Sequence, residues 1–270
     1  MVLCIDCGNT LIKCGLYDET HLVKKFSLDS KIKRSSSEFE MVFSSFLKDF
    51  DNISGAIISC VVPLLLQPIK DALNSLFNIN PLLINRSIKT GINIKIDYPN
   101  ELGNDLLCGA VGAISKYSFP LVVADLGTAT KMYVVDKDGN YIGGIITSGM
   151  EVSMKALDQS TSLLLEVPLI SPKKIIGKNT KDSIQSGIVY GQAYMISEFA
   201  RRMEQELGYK LERVLTGGFS KEIKDQVVCF HYEENLVLDG LYKIYHLNER
   251  NNLLWKKLKK LKLLLLTQCF

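Results

Sequence analysis

Histidine is scarce in this sequence, three residues in 270, and cysteine never gathers: the seven cysteines are scattered, mostly within apolar runs. Such thiols read as reduced and buried, as in a cytosolic protein. The single Cys-x-x-Cys pair, Cys4 and Cys7, lies in a run that reads as a strand, where that spacing points the two side chains to opposite faces. No second pair follows, so a metal–thiolate centre is set aside. No apolar run is long enough to span a bilayer, and Asp6 interrupts the first apolar stretch too early for a signal peptide. A Walker loop is missing as well, because GKNT at Gly177 lacks the upstream glycine. So is a Rossmann fingerprint, and no helix-turn-helix signature is present.

The net excess of positive charge comes from one place. The formal net charge is +3, but Lys256, Lys257, Lys259, Lys260 and Lys262 all lie in the tail, and without them it is −2. The body is mildly acidic, and nothing in it argues for a nucleic-acid partner. The tail WKKLKKLKLLLLTQCF would suit an acidic membrane surface or a protein partner. A packed or frayed terminal helix is the plainer reading.

What is present is an α/β pattern written twice. With 47% hydrophobic and 23% charged residues the chain is globular, and its length suggests about two domains. Val2 to Cys7, Leu11 to Tyr17 and Leu22 to Leu28 read as strands, followed by a helix around Ser36–Phe50. Gly55 to Val62 is a continuous apolar strand, Leu64–Phe77 a helix, Pro81–Ile84 a short strand, and a third helix follows IDYPNELGND. The pattern then restarts. Leu121–Ala124 is a strand, and Met132–Val135 with Tyr141–Ile146 form a hairpin around Asp138-Gly139-Asn140. Helices around Val152–Leu165 and Asp182–Leu207, the strand ERVLTGG and a helix through GLYKIYHL complete it. This predicts two duplicated α/β domains with a cleft between them, residues 1–118 and 119–250, and a tail of 251–270.

Each half opens on the same phrase: an apolar strand, Asp, any residue, Gly, small polar residues with Thr, then a second strand. The copies are DCGNT from Asp6 and DLGTAT from Asp125. Gly8 and Gly127 let a ligand approach the main chain. Successive N–H groups, with the hydroxyls of Thr10, Thr128 and Thr130, predict a concave donor surface suited to phosphate oxygens. The carboxylates of Asp6 and Asp125 would repel phosphate beside that surface, so each implies a metal ion or its water shell. Two such loops would clamp the phosphates of a nucleotide.

These loops resemble those of the acetate-kinase, sugar-kinase, heat-shock-chaperone and actin superfamily, whose fold is a pair of actin-like (ribonuclease H-like) domains. Within it, PNELGND, DLGTAT, GGIITSGMEVSMKAL, IGKNTKDSIQSGIVYGQ, LTGGFS and NLVLDGLYKIY, in that order, resemble type III pantothenate kinase over nearly the whole chain to about Asn248. The resemblance implies ATP-dependent phosphorylation of pantothenate, the first committed step toward coenzyme A, by a cytoplasmic homodimer. It assigns ATP to the opening loop, Asp6, Cys7, Gly8, Asn9, Thr10, Leu11, Ile12 and Lys13, and to Thr128. It assigns K+ or NH4+ to Asp125, and a water-held Mg2+ to Asp6 with the nucleotide. Pantothenate would be held by Gly103, Asn104 and Asp105, with Asp105 as general base, and by Thr180 from the other subunit of the dimer.

Three positions depart from the family pattern. The Arg that normally follows Gly-x-Asp, and pairs with the pantothenate carboxylate, is Leu106. The pocket aromatic falls at Ile96, with Tyr98 near enough to replace it. The second loop ends Thr130-Lys131 rather than Thr-Thr. Either another cation, Lys131 foremost, replaces the Arg, or the acceptor is a different hydroxy compound, or the chain is a non-catalytic regulator of the same fold. An actin-like or chaperone-like module is disfavoured by the short chain.

Overall fold

The computed structural model describes residues 1–19, 21–160 and 167–249; the tail 251–270 and the end of the helix expected to reach Leu165 lie outside them. Two compact units emerge, and they do not follow chain order. One comprises Met1–Gly91, Asn100–Gly112 and residues 237–249; the other comprises Ile92–Pro99 and Ala113–Leu236. The helix through GLYKIYHL, which belongs to the second half by its place in the duplicated pattern, therefore packs with the first.

In the first unit β1 (Val2–Cys7), β2 (Leu11–Tyr17), β3 (Leu22–Asp29), β4 (Gly55–Cys60) and β5 (Leu82–Leu83) form a sheet of order β3-β2-β1-β4-β5. β1 to β3 form an antiparallel meander, and β1, β4 and β5 run parallel. Parallel strands buried on both faces need apolar residues throughout, and every residue of β1 is buried. Leu3, Ile5 and Cys7 pack on one face against α1 (Ser36–Leu47) and α2 (Pro63–Phe77) through Phe39, Phe43, Ile69 and Leu73. Ser35 starts α1 with a capping box: its hydroxyl accepts from the Glu38 N–H, and the Glu38 carboxylate accepts from the Ser35 N–H at 2.7 Å. By the two-residue period, Cys4 and Asp6 point the other way.

The second unit repeats the plan. β6 (Asn93–Ile94) is an added edge strand. β7 (Leu121–Leu126), β8 (Ala129–Val135), β9 (Asn140–Ser148), β10 (Glu212–Thr216) and β11 (His231–Tyr232) follow in the order β11-β10-β7-β8-β9-β6. Without β6 this is the order of the first sheet with the same strand senses. The two-domain actin-like plan expected from the sequence is thus present as two copies of one topology. α3 (Asn104–Lys116), α4 (Met150–Ser160), α5 (Thr180–Leu207), the one-turn α6 (Ser220–Ile223) and α7 (236–249) complete the chain. The core of this unit joins Val122, Ala124 and Leu126 of β7 to Val189, Ala193 and Ile196 of α5. Among the described residues no helix is long and apolar enough to cross a membrane.

Candidate active site

Both Asp residues of the repeated phrase sit where a strand ends and the chain turns back. Asp6 is buried at 8% exposure, and its Oδ1 accepts a hydrogen bond from Ser59 of the neighbouring β4 at 3.1 Å. The turn after it closes when the Gly8 N–H donates to the Leu11 carbonyl at 3.0 Å. Gly8 and Thr10 are half-buried there, while Asn9 and Leu11 face solvent. Cys7 and Ile12 face the core instead. Lys13 is the register partner of Asp6 across β1 and β2.

Asp105 belongs to the same compact unit. Gly103 starts α3 by accepting the Leu107 N–H at its carbonyl, 3.1 Å away, so Asp105 lies in the first turn, where the helix dipole favours a carboxylate. A Cβ at position 103 would stand 2.6 Å from Asp105 Oδ1, so the Gly of Gly-x-Asp gives the carboxylate its room. One turn on, Cys108 is buried, and its thiol is pushed well up, by desolvation first and then by the charges of Asp6 and of Asp105. Two residues 99 apart in sequence thus place negative charge around one thiol. Asn104, Asp105 and Leu106 are half-buried.

The second loop is built alike but is one residue shorter: Asp125 pairs in register with Lys131, where Asp6 pairs with Lys13. Lys131 Nζ lies 3.2 Å from Asp125 Oδ2, both side chains largely buried. Thr128 stands exposed at the tip. Thr130 does not. The shorter loop puts it inside β8, fully buried, where its hydroxyl accepts from Gln192 of α5 at 2.5 Å. The expectation that Thr130 joins the donor surface is corrected accordingly.

The sequence reading missed what holds this loop. The Gly149 N–H donates to the Thr128 carbonyl at 3.1 Å, and the Phe219 N–H to the Leu126 carbonyl at 3.0 Å. A Cβ on Gly149 would meet that Thr128 oxygen at 2.4 Å, and one on Gly217 would meet Leu126 backbone atoms at 2.4–2.5 Å. Gly217 also has φ +102°, open in practice to glycine alone. The signal was available: both glycines sit in the quoted phrases GGIITSGM and LTGGFS. Ser59 and Gln192 carried none.

The other expected residues lie apart in kind. Tyr98 is exposed at 68% in the second unit, and Ile96 lies beside β9, its Cγ2 3.8 Å from the place of a Gly143 Cβ. Thr180 is the exposed first residue of α5, behind Asn179, whose side chain accepts the Asp182 N–H at 2.9 Å.

Comparison with known proteins gives the family. The family model described as type III pantothenate kinase matches residues 2–202. Curated relatives of that name include one from an Exiguobacterium species, 34% identical and covering 93% of this chain and 100% of its own. Another, from Agathobacter rectalis, is 35% identical and covers 93% and 98%. Among solved structures, a protein described as a Baf-family transcriptional activator from Campylobacter jejuni superposes with TM-score 0.57 at 20% identity, covering 92% of this chain and 99% of that one. The ethanolamine utilization protein EutJ from Carboxydothermus hydrogenoformans does so with TM-score 0.52 at 12% identity, covering 88% of each. At those identities the structural likeness speaks for the fold alone. With the family model over most of its length and full-length relatives at a third identity, the chain belongs to the type III pantothenate kinase family.

Proposed function

We propose that this chain transfers the γ-phosphoryl group of ATP to the primary hydroxyl of pantothenate, with Asp105 as the base. The observation that supports the residue assignment is that Asp6 and Asp105 belong to one compact unit and that the charge of each bears on the buried Cys108 thiol. The loop N–H groups and Lys13 hold phosphate oxygens, and Thr128 of the second loop is taken as an ATP contact. Asp105 orients the acceptor hydroxyl and takes its proton as the oxygen bonds to γ-phosphorus and ADP departs. A loose transition state asks chiefly for orientation of the attacking hydroxyl, which Asp105 supplies.

Asp6 suits Mg2+ through water: its carboxylate is a hard oxygen donor fixed by Ser59 at a strand end. When bound, Mg2+ neutralises charge on the transferring phosphoryl group. The K+ or NH4+ implied at Asp125 does not fit in the same way, because the Lys131 ammonium already lies against that carboxylate. Residues 1–118 and 119–250 are taken as the duplicated domains, and Thr180 as a pantothenate contact across a cytoplasmic homodimer.

Leu106 supports a second reading, in which the acceptor is another small hydroxy compound. Loss of a charge-assisted Arg contact would weaken carboxylate binding by about 1.5–3 kcal/mol. A coupled ATP-consumption assay with and without pantothenate decides between the two. Asp105→Asn keeps the size and loses the base, so turnover is expected to fall about 10²–10⁴-fold with ATP affinity nearly unchanged. A near-normal rate for Asp105→Asn would reject the assigned base.

A further inference from the structure

A carboxylate at the mouth of a phosphate loop has to be neutralised before a nucleotide can bind. Usually an ion is captured from solution, so affinity follows that ion's concentration. In the second loop the neutralising charge is already part of the chain. Asp125 and Lys131 face each other across β7 and β8 as register partners, and Nζ stands 3.2 Å from Oδ2. Neither group is well solvated: the side chains are 18% and 11% exposed for Lys131 and Asp125. At such a distance and burial the pair is screened little by salt.

The duplicated topology strengthens the point. Lys13 holds the same register position opposite Asp6, so each loop carries Asp and Lys on facing strands. A lysine ammonium is a compact point charge with three donors, chemically an ammonium ion on a tether. Its tether begins on β8, immediately after Thr130, whose hydroxyl is tied to Gln192. The strand that carries Lys131 is thereby anchored to α5.

We propose that the Lys131 ammonium is the resident cation of the second phosphate loop, held at the Asp125 carboxylate where a free monovalent cation would otherwise bind, so that this chain binds ATP and turns over without potassium or ammonium. The proposal rests on reading that loop as a nucleotide-phosphate loop.

The test is ATP affinity of the full-length wild-type protein, with magnesium, by calorimetry in potassium, ammonium, sodium and tetramethylammonium chloride at one ionic strength. A cation coupled to nucleotide binding would change affinity by about 5–150-fold between potassium and tetramethylammonium. The expected result is no such difference, and the same indifference in the rate assay. Lys131→Met keeps the length and removes the charge. It is expected to weaken ATP binding in tetramethylammonium and to regain affinity at least about fivefold in potassium or ammonium. Should Lys131→Met fail to fold, Lys131→Thr makes the same comparison, and the wild-type comparison needs no variant. Wild-type ATP binding that rises with potassium would overturn the proposal, as would a folded Lys131→Met indifferent to every salt. No ATP binding in any salt would overturn the nucleotide reading itself and this proposal with it. Salt-independent ATP binding without pantothenate phosphorylation would reject only the acceptor.

Discussion

Cys60 ends β4 as the register partner of Cys7 on β1, one residue beyond Asp6. A hydrogen bond from the Cys7 thiol is the largest influence on Cys60 and holds it down to about 7, against burial, which pushes the other way. Because the folded value lies below the ordinary thiol range, Cys60 taken alone contributes stability at pH above the unfolded thiol value, lost as pH falls through about 7, while the Cys7 thiol, raised by the same contact, opposes it as pH rises. Peptide-resolved iodoacetamide labelling checks this: Cys60 should react with a midpoint near pH 7, and Cys7→Ala should move the midpoint up toward the free-thiol value of about 8.5. A wild-type midpoint already at the free value would reject the hydrogen bond. Single residues of this sort were only half legible beforehand. The positions of Asp6 and Asp125 at strand ends could be read, because a strand, a glycine turn and a returning strand are local. That Thr130 turns inward could not, since it depends on a loop one residue shorter than its counterpart and on Gln192, 62 residues away.

Elements show the same division between local and distant causes. The hairpin at Asp138-Gly139 was readable because Gly139 takes φ +76° and donates to Asp136 at 3.0 Å, all within a few residues. β6 and β11 were not: each has two residues, too few for any period, and each is defined by its pairing with another strand, β9 and β10 respectively. The packing of α7 was equally hidden. It lies in the first unit through Tyr17, whose hydroxyl donates to Asp239 at 2.7 Å and whose ring stacks on Tyr242 at 4.6 Å. It crosses α3 where a Cβ on Gly240 would fall 1.8 Å from the Cys108 carbonyl oxygen. Main chain cannot step aside as a flexible side chain can. Gly240→Ala should therefore cost about 1–3 kcal/mol of stability, seen as a lower midpoint in chemical denaturation. An unchanged midpoint would mean that the helices do not cross so closely. Since Asp105 lies in the first turn of α3, the variant should also lower turnover beyond what the lost folded fraction explains.

For the whole molecule, assembly is the property open to test. α5 is 28 residues long and begins at Thr180. Along it Tyr194 is 53% and Phe199 37% exposed, large apolar surface for a helix whose other side is core. Light scattering is expected to give twice the monomer mass, and Tyr194→Glu to give a monomer with much reduced turnover if Thr180 serves the neighbouring subunit. A fully active monomer would rule out the shared site. The second loop has a further consequence, for how such a protein changes over generations. Main-chain bonds from Gly149 and Phe219 help to secure its shape. Substitution at position 131 alters charge without removing either of these main-chain bonds. A lineage could move between needing an ion from its surroundings and carrying its own by one codon, in either direction, without rebuilding the loop.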